Sequence, residues 1–164
     1  MTMNTISRNI LFFAMLIVSC ASVAEPEIPP PDMTYPGAVA LSRENDHWVY
    51  KSFPTLLPLY VFDGDLPGKS TCDLVCSAVW IPVAVQEGDK PVGRWTIIHR
   101  EDGRLQWAYK GRPVYTFYQD TPGHPHGIGK KKDWYYDGTS KAMKAGTQRP
   151  VWRALDPEAK NAWP

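Results

Sequence analysis

The chain has 164 residues, with 18 Lys plus Arg against 17 Asp plus Glu and a formal net charge of +1. Near-neutrality leaves no basic footprint for nucleic acid and excludes that class of partner. The length allows one domain with a core, and seven Trp and eight Tyr favour β structure, where aromatic rings pack on pleated faces.

"MTMNTISRNILFFAMLIVSCASVAEPE" opens the chain with Arg8 ahead of nine apolar residues, Ile10 to Val18, followed by small residues. This is the pattern of a secretory signal peptide over residues 1–24. The apolar run is too short to cross about 30 Å of hydrocarbon. Two ends compete. "SVA" ending at Ala24 suits ordinary signal peptidase, whereas "IVSC" ending at Cys20 resembles a lipobox whose cysteine is lipid-modified, with stable membrane anchoring by several acyl chains. Losing Arg8 with the leader leaves 17 basic and 17 acidic residues. The expectation is an exported protein, in the periplasm or lipid-anchored at the outer membrane or cell surface.

"EPEIPPPDMTYP" has five prolines, which suits an extended spacer over residues 25–37 and neither helix nor central strand. The folded part then occupies residues 38–164 as a single β domain. Within it "PLYVFDGDLPG" from Pro58 returns fifty-five residues later as "PVYTFYQDTPG" from Pro113. "WVYK" at Trp48 precedes the first copy and "WAYK" at Trp107 the second. Two units of about 48–100 and 107–155 follow. Trp80 and Trp134 are aromatic landmarks after the loops, and "WTIIHR" at Trp95 and "VWRAL" around Trp152 read as closing strands.

Alternation puts Tyr60 and Phe62 on one strand face, and likewise Tyr115 and Phe117. "WTIIHREDGRLQWAYKGRPVYTF" reads as a three-stranded meander with turns at Asp102-Gly103 and Lys110-Gly111. Only "TCDLVCSAVW" looks helical. The fold class is therefore mainly β: two tandem antiparallel meander repeats packed as one domain, with a short helix at the CxxxC loop. Neither unit is large enough to bury its aromatic face alone.

Asp65 and Asp120 each stand two residues before Pro-Gly. A carboxylate there accepts bonds from the N–H groups of the following turn. The alternative, a paired acid and base, needs the two within about 10 Å across a cleft. Identical placement in both copies favours structure.

Tyr-x-Phe-x-x-Asp at Tyr60, Phe62, Asp65 and at Tyr115, Phe117, Asp120, together with "STCDLVCSAVWIPV", resembles the bacterial secreted-repeat lipoproteins defined by a Yx(F/W/Y)xxD motif. The similarity runs from residue 48 to 137. It implies an exported, often lipid-anchored protein of tandem repeats and supplies no mechanism. "HPHGIGKKKDW" departs from the Gly, Asn and Asp richness of relatives.

Cys72 and Cys76, four apart in an exported chain, suit a structural disulfide. The alternative is a soft metal such as Cu(I), or thiol redox cycling. His124 and His126 flank Pro125 in a loop that reads as solvated, with a weak surface Cu(II) or Zn(II) site as the alternative. His99 reads as a half-buried strand residue and His47 as an isolated one. Lys130, Lys131 and Lys132 form a solvated charge run, or a contact to an anionic lipid or glycan. No GxSxG, HExxH, phosphate loop or dinucleotide fingerprint occurs. The leading expectation is a non-enzymatic envelope module binding a protein or small ligand. The rival is a periplasmic metal (copper) or thiol-redox protein using Cys72, Cys76, His124 and His126.

Overall fold

Two short strands with opposite demands on their two faces set the centre of the molecule. A computed structural model describes residues 28–30, 32–131 and 150–158. In it Tyr60, Phe62, Tyr115 and Phe117 fall into one buried aromatic cluster, while the intervening Leu59, Val61 and Val114 enter a second, largely aliphatic and tryptophan-lined core. Period-2 alternation thus sorts aromatic from aliphatic side chains, and these two strands are buried on both faces.

The described elements run β1 (Val39–Glu44), β2 (His47–Ser52), β3 (Tyr60–Phe62), α1 (Leu74–Ser77), β4 (Trp80–Pro82), β5 (Trp95–His99), β6 (Leu105–Tyr109), β7 (Arg112–Pro113), β8 (Tyr115–Phe117) and β9 (Trp152–Ala154). They form a β1-β2 hairpin, a β5-β6-β7 sheet and a central sheet in the order β4-β8-β3-β9. All pairings are antiparallel.

The predicted meander forms at β5-β6-β7. Gly103 (φ 81°) supplies the left-handed residue of the first turn, and Lys110 and Gly111 (φ 49° and 76°) supply a two-residue turn whose twist suits a hairpin. Residues 115–117 then leave this sheet for the central one. The helix is one turn, capped by the Asp73 carboxylate accepting from Cys76 N–H.

The two copies interlock. Among the described residues β3 pairs with β8 and β9, and β8 with β3 and β4, so each motif strand takes its neighbours from the other copy. Tyr60 faces Tyr115 across the β3–β8 pair. Around that point the contacts repeat with the roles exchanged. Trp152 packs on Phe62 and Trp80 on Phe117, each with centroids 4.6 Å apart, and the two indoles stack at 3.7 Å and 5°.

This reciprocity corrects two expectations. "WTIIHR" does not close the first copy: β5 pairs with β6 as β1 pairs with β2, so Trp95 opens the second hairpin. The counterpart of Trp152 is Trp80. Tyr118 N–H donates to Val79 O (3.0 Å) as Asp63 N–H does to Val151 O (3.1 Å), and Val83 N–H donates to Val114 O (3.0 Å) as Leu155 N–H does to Leu59 O (2.8 Å). Trp134, read as the second copy's equivalent of Trp80, lies outside the described residues. His99 is exposed, not half-buried, because it ends β5 opposite Leu105 at the hairpin tip.

Part of the Pro-rich segment lies against the domain. Tyr50 OH donates to Thr34 O at 3.2 Å, Tyr35 meets the Tyr50 ring edge-on, and Asp32 pairs with Arg94 at 2.7 Å.

Candidate functional site

The repeated motif is a crossed pair of hydrogen bonds. Tyr60 OH donates to Asp120 Oδ2 at 2.7 Å, and Tyr115 OH donates to Asp65 Oδ2 at 2.8 Å, so each tyrosine is read by the carboxylate of the other copy. Each carboxylate's second oxygen accepts a backbone N–H six residues on: Thr71 N–H for Asp65 (2.7 Å) and His126 N–H for Asp120 (2.6 Å). The expected acceptor role is present, but it reaches past the Pro-Gly turn to the end of the loop. All four residues are buried. Burial first, and then the neighbouring carboxylate, pushes both phenols well above the ordinary tyrosine range. Both carboxylates are therefore held as acceptors inside the inter-copy joint.

Gly127 completes the second copy's half of this joint. Its N–H donates to Tyr60 Oη at 3.3 Å, and a Cβ there would stand 2.7 Å from Trp80 and 2.9 Å from Tyr60. The loop can close over the two rings only because residue 127 has no side chain.

The first copy's loop carries more apparatus. Ser70 Oγ lies 2.7 Å from Tyr115 Oη and accepts from Arg100 Nη1 at 3.0 Å. Arg100, 3% exposed, also donates through Nε to Asp102 (3.1 Å), through Nη1 to Gln106 Oε1 (2.8 Å), and through Nη2 to Cys72 O (2.6 Å) and Ser77 Oγ (2.8 Å). All five guanidinium N–H groups are used. The Arg104 guanidinium, then that of Arg100, holds the Asp102 carboxyl well below the usual carboxylate range against the opposing effect of burial.

Cys72 and Cys76 form a disulfide, Cα–Cα 5.1 Å, with both residues buried. Bridge, Asp73 cap and Arg100 thus fix a single helical turn from three sides. That turn presents Leu74 and Val75 to solvent, 69% and 63% exposed. Beside it opens a cleft of about 490 Å³ lined by Leu66, Ser70, Thr71, Asp73, Leu74 and Arg100 among others.

The histidines do not join this cleft. The His loop backs Tyr60 as the Cys loop backs Tyr115, so the two occupy equivalent places in the two units. His124 and His126 are exposed, and His126 Nδ1 lies 3.6 Å from Asp120 Oδ1. Among the described residues no group of three or more His, Cys, Asp or Glu could hold a metal. Lys130 and Lys131 are described, whereas Lys132 and Cys20 lie outside the described residues. Sequence reasoning missed Ser70, Arg100, Gly127 and the outward Leu74 and Val75. "STCDLVCS" carries the N-cap and cysteine signals, but the partner of Arg100 is set by tertiary packing.

Among the described residues no helix is long and apolar enough to cross a membrane. Comparison with the curated proteins and with the solved structures finds no match to the chain. One family model does match: it covers residues 96–136, from β5 through β8 and into the His loop, so the chain carries there what that family is described as, a secreted repeat of unknown function.

Proposed function

We propose that the protein is a non-enzymatic binding or interaction module of the cell envelope, contacting an envelope protein or a small apolar-faced ligand through α1 and the adjoining cleft. The secreted-repeat match supports export; placement in the periplasm, or anchoring through a lipidated Cys20, belongs to the proposal. The observation that carries it is the rigid outward display of Leu74 and Val75. A disulfide, a helix cap and a saturated buried arginine hold two large apolar side chains in water, a cost that a binding surface recovers when a partner covers them. The carboxylates that would serve as an acid–base pair are committed to the inter-copy joint.

The test is a photo-crosslinking side chain at Leu74 or Val75 in whole cells, with exposed Lys90 as the control position. The expected result is a defined adduct from Leu74 or Val75 and none from Lys90; with the probe at Leu74, the adduct is lost on adding Val75→Lys while the unfolding free energy stays within about 0.5 kcal/mol of the parent. No adduct, or an equal one from Lys90, sinks the reading.

A second reading, surface binding of Cu(II) or Zn(II), is favoured by one contact, the His126 ring beside the buried Asp120 carboxylate. Carboxylates in that position orient imidazole ligands. The bridged sulfurs of Cys72 and Cys76 offer no thiolate, so a copper or redox role for them requires prior reduction. Titrating the oxidised domain with Cu(II) and Zn(II) is expected to show binding that His126→Ala removes. Retention of the same affinity in His124→Ala/His126→Ala overturns it.

A further inference from the structure

We propose that the surface each unit offers the other is a docking surface for any unit of this kind, and that its partner is a second copy of this chain. Two chains exchange their second units and form a reciprocal dimer. This goes beyond the α1 surface and does not depend on it.

Three observations carry the inference. Among the described residues no strand of the central sheet has its neighbour within its own unit: β3 and β4 do not pair, nor do β8 and β9. A unit by itself therefore has two unpaired motif strands and an uncovered aromatic face, and its complement is the other unit. Recognition is also polar and reciprocal. Tyr60 with Asp120 and Tyr115 with Asp65 form one pair in each direction, and Arg112 Nη1 donates to Asp65 O at 2.9 Å. A unit arriving from another chain satisfies the same groups at the same distances.

The third observation is the connector. Residues 84–94 join the units, and most of them are exposed. Gln86 and Asp89 close a local turn through Gln86 N–H to Asp89 Oδ2 (2.9 Å) and Asp89 N–H to Gln86 O (3.1 Å). Exchange leaves the inter-unit joint intact and alters only this segment, the condition under which exchanged dimers cost little. In the intact chain a short connector holds the second unit at an effective concentration on the order of millimolar. Closure within one chain therefore dominates in dilute solution. Exchange takes over when the connector is too short to fold back or when one unit is damaged.

The experiment uses full mature chains in two arms. In the first, one chain carries Tyr60→Ala/Phe62→Ala and the other carries Tyr115→Ala/Phe117→Ala. Each alone is expected to lack native near-UV circular dichroism. Refolded together in equal amounts they are expected to recover about half the parent signal and to show a dimer mass, because the two intact units meet across chains. In the second arm, residues 86–90 are deleted from the otherwise native chain, and a folded dimer is expected in place of the monomer. A mixture that only averages its components, or a shortened chain that stays monomeric, overturns the proposal.

Discussion

Replacing Trp152 with Ala is expected to cost about 3–5 kcal/mol of stability, the range for emptying a large aromatic site in a core, and to lower the thermal midpoint by roughly 10–20 °C. Trp152 is fully buried. It stacks on Trp80 at 3.7 Å and Phe62 at 4.6 Å, and meets Tyr115 edge-on at 4.9 Å. One truncation therefore opens a void against both copies at once. Trp80→Ala is expected to cost a similar amount, because Trp80 occupies the exchanged position against Phe117 and Tyr60. Combined, the two losses should fall short of their sum by about 0.5–3 kcal/mol, as in contacting pairs. Urea unfolding of the three variants measures this. A near-neutral Trp152→Ala, or strict additivity of the pair, contradicts a shared aromatic joint.

Alkali is the second strong lever. Tyr50, Tyr60 and Tyr115 are buried. Burial, with the neighbouring Tyr109 second, pushes Tyr50 up to about 12, and burial with Asp120 or Asp65 pushes the other two higher still. A phenol whose folded pKa exceeds its unfolded value of about 10 adds stability that is complete below pH 10. That stability drains as pH rises through the folded value, because the unfolded chain loses its protons first. By pH 11 each such tyrosine forfeits on the order of 1 kcal/mol, and the three together a few. Unfolding midpoints measured from pH 8 to 11 should be flat to about 10 and then fall. Tyrosinate absorbance of the native protein should leave Tyr50, Tyr60 and Tyr115 silent until the fold gives way. Eight phenols titrating together near 10 with no change in midpoint would rule this out.

The motif strands, the β5-β6-β7 meander with its turns at Gly103 and Gly111 and the short helix at the cysteines were legible because each is written locally, whereas β1 and β4 were not read, and Trp80 fell in the segment that looked helical. The division of Tyr60 and Phe62 from Val61 was legible for the same reason. The assignment of partners was not. "WTIIHR" and "VWRAL" both place a buried Trp at the start of a strand, and nothing within either says that the first pairs with the strand after it and the second with a strand from the other copy. Asp65 reads as a turn acceptor from its neighbours, whereas its phenol partner is Tyr115, fifty positions away. Of the candidate surface, the sequence showed that Cys72 and Cys76 pin a turn. Which face of that turn meets solvent depends on Arg100, a residue that reads as the unremarked end of a strand.

The interleaved order of the central sheet also constrains how the chain reaches its native state. β3 lies between β8 and β9, and the Asp63–Arg153 ion pair that borders it spans ninety positions. Loop closure on that scale precedes any gain from pairing, so such topologies form slowly. Beyond its β1-β2 hairpin, the first unit has no finished sheet for β3 to join until the segment bearing Trp152 has arrived. In a chain emerging from synthesis the central sheet accordingly closes only once the second unit is complete.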